Sequence, residues 1–182
     1  GWDQNIRGVG RANGMPVTRV DRSSGPNGGR VYVSWTDNRN GEDDNDVWLV
    51  YSDNQGHSWT DPIRVNDDPA GAQQFFPWMD VDDVTGNVHI VFYDRRASFA
   101  KQQNLNSRST WDTEVYVASS YDGGDTWENL RVSEEKFRTN PKGFFGDYNN
   151  ISAYDGIVRP IWTRNDDGVL SIWTAVLDGY VE

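Results

Sequence analysis

The chain has 182 residues and a formal net charge of -11, with 17 Lys and Arg against 28 Asp and Glu. Nucleic acid phosphates and anionic membrane surfaces would repel it, so neither is expected as a partner. The lack of Cys excludes disulfides and thiolate metal sites. No apolar run approaches the ~18 residues that a membrane span requires. With 36% hydrophobic and 13% aromatic residues, we expect a globular, soluble domain without membrane insertion.

Three short segments with alternating apolar residues predict three strands, each with one buried face. They cover residues 31–37, 88–94 and 158–164, and each follows a turn that contains Gly. Another extended segment precedes each turn, at residues 16–21, 77–82 and 147–154. Pro160 has no backbone N–H to donate and therefore predicts an interruption or a bulge in the third unit.

A third predicted strand follows each pair, at residues 46–52, 114–120 and 170–176, and a fourth follows at 62–66 and 129–133. Helical periodicity is nearly absent. The sequence thus repeats a four-stranded unit, with boundaries near residues 8–66, 67–133 and 134–182. Residues 1–7 align with the segments that hold the fourth strands. We therefore expect an N-terminal strand there, which would complete the last unit.

Two turns between third and fourth strands share a pattern of Ser, Asp or Asn, Gly, a second hydroxyl and Trp. The polar side chains can bond nearby backbone groups, Gly allows a positive φ, and Trp can cover the turn. The pattern resembles the Asp-box, the repeat of sialidases and related β-propellers, with an Asn for Asp in the first copy. The resemblance implies a structural role, on the face away from the binding site, for Ser52, Asn54, Gly56, Trp59, Ser120, Asp122, Gly124 and Trp127.

The repeat and the resemblance together predict an all-β fold, a β-propeller of four-stranded antiparallel blades with three blades in this chain. Three blades are too few to close a ring. The chain is therefore expected to form half of a six-bladed ring. Its expected partners include the remaining propeller blades, supplied by the same precursor or by a second copy of the chain.

Four Arg residues follow the second predicted strands, on the face opposite the repeated turns. These are Arg39, Arg95, Arg96 and Arg164. Arg suits a carboxylate because its planar guanidinium presents paired donors. Sialidases hold the sialic acid carboxylate with three Arg, so the resemblance implies a substrate-binding role for this set. Arg–Asp pairs that brace the polar loops are the alternative.

Residues 144–148 resemble residues 75–78, at the start of a first strand beside the expected central channel. Sialidases use a Tyr nucleophile and an Asp acid/base, so the resemblance makes Asp147 and Tyr148 the candidate catalytic residues. Packing of the aromatic side chains and a local Asp turn are the alternative explanation.

The loop from Glu42 to Asp46 carries four carboxylates, and carboxylate oxygens suit calcium. Its spacing differs from that of an EF-hand, and a solvated charged loop is the alternative. The chemistry that the resemblance implies requires no cofactor.

Two functional hypotheses follow. The first is a secreted or cell-surface sialidase-like propeller that binds and hydrolyses a glycan or glycoprotein, as an exo-sialidase-type glycoside hydrolase. The second is a non-catalytic, carbohydrate-binding or protein-binding adhesive propeller. A single pocket that contained the Arg residues, Asp147 and Tyr148 would favour the enzyme.

Overall fold

A computed structural model describes residues 4–6, 8–98, 112–139 and 144–178 of the chain. Within these ranges thirteen strands form, together with one helical turn at residues 96–98. The strands are β1 Val17–Val20, β2 Val31–Gly41, β3 Asp44–Ser52, β4 Ile63–Arg64, β5 Gln74–Val81, β6 Val88–Asp94, β7 Asp112–Ser120, β8 Glu128–Arg131, β9 Phe137–Arg138, β10 Asn150–Tyr154, β11 Ile157–Asp166, β12 Val169–Thr174 and β13 Leu177–Asp178.

The strands form three antiparallel sheets, which we call blades 1, 2 and 3. Blade 1 contains β1 to β4, blade 2 contains β5 to β9, and blade 3 contains β10 to β13. Successive strands lie side by side in each sheet, apart from β9, which pairs with β7, and β13, which pairs with β11. The fold is therefore a partial β-propeller, and the all-β prediction is confirmed.

Blade 2 lies between the other two blades, and its strands β5, β6 and β7 are accordingly more buried than those of blade 3. One core cluster joins its β6 residue Phe92 to Tyr32 and Leu49 of blade 1. The other joins Tyr93, the next residue of β6, to Trp162 of blade 3. Successive side chains of a strand point to opposite faces, so β6 is buried along its whole length. Burial of both faces provides most of the apolar stabilisation of the sheet.

The first strand of each blade is the innermost, since β1 and β10 both contact β5. A bulge interrupts the pairing of β5 with β6 between Phe75 and Trp78. Phe76 adopts a φ of 51° there, which is unusual for a residue with a side chain. As a result Phe75 and Phe76 both enter the core cluster between blades 2 and 3, although they are consecutive.

The interruption that Pro160 predicted falls in the third unit, although not in the strand that contains Pro160. Strand β11 continues through Pro160, which pairs with Ile151 of β10. On its other side, β11 pairs with β12 up to Thr174 and with β13 from Leu177 onwards. The two residues between these strands lie opposite Pro160 and Arg159. The interruption therefore falls in the partner strand, where Pro160 cannot donate a ladder hydrogen bond.

The expected N-terminal strand does not form in residues 4–6, the part of it that the structure describes. Instead, Gln4 donates to the carbonyl of Thr36 at 2.5 Å and accepts from the hydroxyl of Thr36. Ile6 is buried in the core cluster between blades 2 and 3. The segment is thus held by Thr36 of β2 through Gln4 and by the core between blades 2 and 3 through Ile6.

The blades define two faces of the molecule. The β3–β4 and β7–β8 turns lie on one face, which we call the turn face. The β2–β3 and β11–β12 connections lie at the opposite ends of the strands, on what we call the loop face. The loop face also carries the residues that precede β1, β5 and β10.

Candidate functional site

The two repeated turns have the same hydrogen-bond network. In the first, Ser52 Oγ accepts from the backbone N–H of Gly56, and Asn54 Oδ1 accepts from that of Ser58. In the second, Ser120 and Asp122 accept from the backbone N–H groups of Gly124 and Thr126 in the same way. Burial opposes ionisation of Asp122, but the hydrogen bonds from Thr126 outweigh it and lower the pKa of the carboxyl. The hydrogen-bonding groups of these Ser, Asn and Asp side chains are therefore used within the turns themselves.

The second turn also joins two blades. A Cβ on Gly124 would lie 3.0 Å from Leu49 Cδ2 of blade 1. The guanidinium of Arg30 in blade 1 donates to the carbonyl of Gly123 at 2.7 Å. The hydroxyl of Tyr51 donates to Asp125 at 2.7 Å. These contacts support a structural role for the turn face.

Three of the four predicted binding Arg residues instead form local Asp–Arg pairs at the loop face. Arg39 binds Asp37, Arg96 binds Asp94, and Arg164 binds Asp166. In each case the guanidinium also covers an aromatic ring of the neighbouring third strand, at 4.7 Å from Trp48, 4.0 Å from Tyr116 and 3.6 Å from Trp173. This is the bracing arrangement that the sequence analysis left as the alternative.

Arg95 points in another direction from Arg96. It is 3% exposed, lies 5.0 Å from the ring of Phe75, and donates to the hydroxyls of Thr113 and Thr139. The structure therefore does not bring the four Arg residues together around one carboxylate site. Their substrate-binding role stays a prediction without geometric support in the described residues.

Asp147 and Tyr148 lie at the start of blade 3 but have separate contacts. Asp147 accepts two hydrogen bonds from Arg11, at 2.7 and 2.6 Å. Tyr148 is 66% exposed, and its ring meets that of Trp78 edge-on at 6.4 Å. The described contacts give Tyr148 no carboxylate base. A catalytic role for this pair therefore gains nothing from the geometry.

The acidic loop does not gather its carboxylates around one point. Asp44 accepts from the backbone N–H of Gly71, while Asp46 accepts from Arg64 and Asn66. Among the described residues, no group of three or more His, Asp or Glu side chains is placed to hold a metal ion. The calcium prediction for residues 42–46 therefore has no support from this geometry.

A buried polar cluster lies between blades 1 and 2 near the loop face. Asn66 donates to Asp46, and its neighbour Gln74 donates to Asp94. Burial raises the pKa of the Asp94 carboxyl to about 6, although hydrogen bonds from Arg96 oppose this shift. The cluster ties the last strand of one blade to the first strand of the next. Its side chains satisfy one another, as buried polar groups generally do.

The loop face also has an open cleft of about 900 Å³ at the inner end of blade 1. We call it the axial cleft. Its walls come from the N-terminal segment, the residues before β1, the end of β2 and the start of β3, namely residues 4–6, 13, 14, 16, 35–38, 42 and 45. The volume is within the usual range for small-molecule sites.

One side of the axial cleft combines an indole with a carboxylate. Trp35 donates its indole N–H to Asp37 at 2.7 Å, and Arg39 donates to both oxygens of Asp37. Burial alone would raise the pKa of Asp37, but the hydrogen bonds from Arg39 and Trp35 dominate and lower it. Asp37 is therefore ionised at neutral pH. Glu42 adds an exposed carboxylate to the same cleft.

Amide side chains line the remainder of the axial cleft. Asn45 is 2% exposed and donates to the carbonyl of Gln74 and to Gln4. Its own side-chain oxygen has no hydrogen-bond partner among the described residues. Asn13 accepts from the backbone N–H of Met15, and Asn38 lies at the rim. Amides, carboxylates and an indole are groups that suit a hydroxyl-rich ligand.

Sequence reasoning missed most of this cleft. Trp35 was predicted only as a strand residue, and Glu42 only as a possible calcium ligand. One signal was available, because Asn45 stands among buried residues at the start of β3, where a polar side chain requires a partner. The contribution of Gln4 had no such signal, since it depends on the path of the N-terminal segment.

Several solved structures of glycoside hydrolases have a similar fold. An alpha-L-arabinanase of Penicillium chrysogenum, complexed with arabinobiose, has a TM-score of 0.60 at 15% identity over 91% of this chain. The Hadza microbial sialidase Hz136 has a TM-score of 0.51 at 16% identity over 80%. The NanB sialidase of Streptococcus pneumoniae has a TM-score of 0.52 at 10% identity over 98%. At such identities the likeness shows the fold alone.

The chain spans 46%, 32% and 44% of those three proteins. No protein-family model matches the sequence, and a comparison with curated proteins gives no match. In the described part of the chain, no helix is long and apolar enough to cross a membrane. The class that fold and neighbours define is thus a partial β-propeller of the kind found in glycoside hydrolases.

Proposed function

We propose that this chain is the glycan-contacting part of a β-propeller and that it holds a saccharide in the axial cleft. The observation that supports the proposal best is the lining of the cleft, in which Trp35 stands beside Asp37, Glu42 and several amides. An indole provides a flat apolar surface with a polar edge, while amides and carboxylates pair with hydroxyls. The glycoside hydrolase neighbours support the same choice at the level of fold.

Sialidase specificity is the narrower candidate from the sequence, and the site gives it little support. It needs several Arg donors that converge on one carboxylate. Arg39, Arg96 and Arg164 each bind a different Asp in this chain. We therefore propose a glycan site without sialidase specificity. A secreted or cell-surface location and a glycan or glycoprotein partner remain predictions.

Glycoside hydrolysis is a second candidate, favoured by the two carboxylates of the axial cleft. Asp37 is held ionised by Arg39 and Trp35, and Glu42 is exposed to the ligand space. Glycosidases generally use one ionised carboxylate and one proton donor. Release of reducing sugar by the chain, abolished in E42Q while glycan binding persists, would support hydrolysis. Binding without release would leave the non-catalytic, adhesive alternative.

We also propose that further blades cover the two outer faces of this chain. In β11, Ile161 occupies the position that Val91 has in β6; Val91 is fully buried, whereas Ile161 is 45% exposed. At the other end of the molecule, Trp59 is 43% exposed, whereas its equivalent Trp127 packs against blade 1. The proposal is supported by the blade-to-blade contacts within the chain, where the equivalent side chains are covered by the next blade.

The binding proposal is tested by titrating the chain with a panel of oligosaccharides and following tryptophan fluorescence. We expect saturable binding that Trp35→Ala weakens by about five- to thirtyfold, because a lost stacking contact is worth on the order of 1 to 2 kcal/mol. Trp59→Ala, on the turn face, is the matched control and should bind as the unchanged chain does. Equal weakening by both substitutions would contradict the proposal.

A further inference from the structure

The axial cleft has an acidic lining. Of the described residues around it, two are carboxylates, Asp37 and Glu42, and none is Arg, Lys or His. The whole chain is acidic as well, at -11. An anionic ligand would therefore meet like charge in the cleft and over the surrounding surface.

Arg39, the cation paired with Asp37, is bound on several sides. It donates to Asp37 from Nε at 2.8 Å and from a terminal nitrogen at 2.5 Å. Its guanidinium also lies 5.4 Å from the ring of Trp35 and 4.7 Å from that of Trp48. Recruitment of Arg39 by a ligand carboxylate would have to break this pair and leave Asp37 uncompensated.

Asn45 offers no donor to a ligand carboxylate. Its side-chain N–H groups are used by Gln4 and by the carbonyl of Gln74. Its remaining polar atom is an oxygen, which only accepts, as an ionised carboxylate does.

From the charge of the lining, the pairing of Arg39 and the use of both Asn45 N–H groups within the chain, we propose that the axial cleft selects uncharged, hydroxyl-rich glycans and discriminates against glycans whose bound unit carries a carboxylate. This inference rests on the proposed glycan-binding function and specifies its ligand class. It also assigns Asp37 a second role, in which it keeps Arg39 away from the ligand.

The test compares matched pairs of neutral oligosaccharides and their C6-oxidised uronates, at low and at high salt. We expect the neutral partner to bind about tenfold more tightly at low salt, because the exposed carboxylate of Glu42 repels a ligand carboxylate and Asp37 keeps Arg39 from attracting it. The difference should shrink at high salt, because salt screens the repulsion. Glu42→Gln should reduce the discrimination with little risk to folding, since Glu42 is exposed. Asp37→Asn should reduce it further, because it also frees Arg39.

Glu128→Gln is the control, since it removes the same charge from an exposed position next to the repeated turn of blade 2. It should leave the discrimination unchanged. Uronates that bind as tightly as their neutral partners, or a discrimination that is insensitive to Glu42 and Asp37, would overturn the inference while the binding function stands. A chain that binds neither class would overturn the proposed function itself.

Discussion

At the loop face, each blade has an Asp–Arg pair whose Arg covers an aromatic ring, but the order of Asp and Arg along the sequence differs between blades. In blades 1 and 2 the loop-face end of the second strand has the order Asp-x-Arg, as in Asp94 and Arg96. Blade 3 has Arg-x-Asp instead, in Arg164 and Asp166. In every blade the guanidinium covers the aromatic residue of the third strand. The contact with the ring, rather than the position of the Arg in the sequence, is what the three blades share.

This arrangement predicts that the charge order in blade 3 can be exchanged. The single substitution R164D should destabilise the chain by ~1 to 2 kcal/mol, because it removes the cation over Trp173 and leaves two neighbouring carboxylates. Adding D166R should restore at least about half of that loss. Urea unfolding of the two variants and the unchanged chain measures both effects. A double variant no more stable than the single one would contradict the equivalence of the blades.

His89 is the buried titratable group with the clearest consequence for pH. It is 3% exposed in β6, bonds to Ser119 at 2.8 Å, and has a pKa lowered to about 4 by burial, with Asp80 and Asp82 opposing the shift. In the unfolded chain, His89 therefore binds a proton as the pH falls below about 6.5, whereas in the folded chain it binds one only near pH 4. The associated stability is fully present above about pH 6.5 and is lost as the pH falls towards 4.

Replacement of His89 by Asn should flatten this dependence. Between about pH 7.5 and about pH 4.5, the unchanged chain should lose ~2 kcal/mol more of its unfolding free energy than H89N does. Asp94 has a raised pKa and acts in the opposite direction in the same range, so the comparison between the two chains isolates His89. His57, exposed in the first repeated turn, is the control. H57N should follow the unchanged chain, and equal pH profiles for all three would contradict the prediction.

Among the elements, the repeated turn of blade 2 acts as a joint between blades as well as a connection between strands. Gly124 has a φ of +100° and no room for a Cβ beside Leu49, whereas Gly168, with a φ of +96°, has nothing within 4 Å of such an atom. Substitution by Ala imposes similar backbone strain at both sites. Only G124A adds a steric conflict with the neighbouring blade.

We expect G124A to destabilise the chain by ~1 to 3 kcal/mol more than G168A does. Urea unfolding of the two variants gives the difference directly. Similar losses would show that the second turn does not press against blade 1.

At the scale of elements the sequence predicted the fold well. Runs of apolar residues identified β2, β6 and β11, because successive side chains of a strand point to opposite faces and at least one face of each strand is packed. The N-terminal strand predicted over residues 1–7 does not form in residues 4–6, the part that the structure describes. The likeness of this segment to the fourth strands gave no information on which sheet edge it would meet. Pro160 correctly predicted an interruption in the third unit. The sequence did not show which strand would be interrupted, because the missing N–H of Pro160 removes a hydrogen bond to the neighbouring strand, between β12 and β13.

The candidate site was predicted less well. Arg39, Arg95 and Arg96 were grouped because they follow equivalent strands. Their directions depend on which ring and which carboxylate lie nearby, and a one-dimensional pattern does not contain those distances. The axial cleft brings Gln4 beside Asn45, two residues whose meeting depends on the route of the chain across the inner strands. Only tertiary structure could show that contact.

For the whole molecule, the open faces of blades 1 and 3 predict a measurable apolar surface. Ile161 and Ile172 are 45% and 68% exposed on the outer face of blade 3, and such patches usually mark a contact surface. The folded chain should therefore bind an apolar fluorescent dye and associate with rising concentration. The double substitution I161E/I172E should reduce both effects several-fold. Unchanged dye binding in this variant would contradict the claim that further blades cover this face.

The central claim is that a saccharide occupies the axial cleft at the loop face. The chain has nine Trp, so an NMR spectrum of the indole N–H groups surveys both faces at once, and Trp35→Phe identifies the signal of Trp35. The account predicts that a neutral oligosaccharide shifts the Trp35 signal in a saturable manner and leaves those of Trp59 and Trp127 unmoved. Shifts confined to Trp59 and Trp127, with Trp35 unaffected, would place the ligand on the turn face and contradict the account.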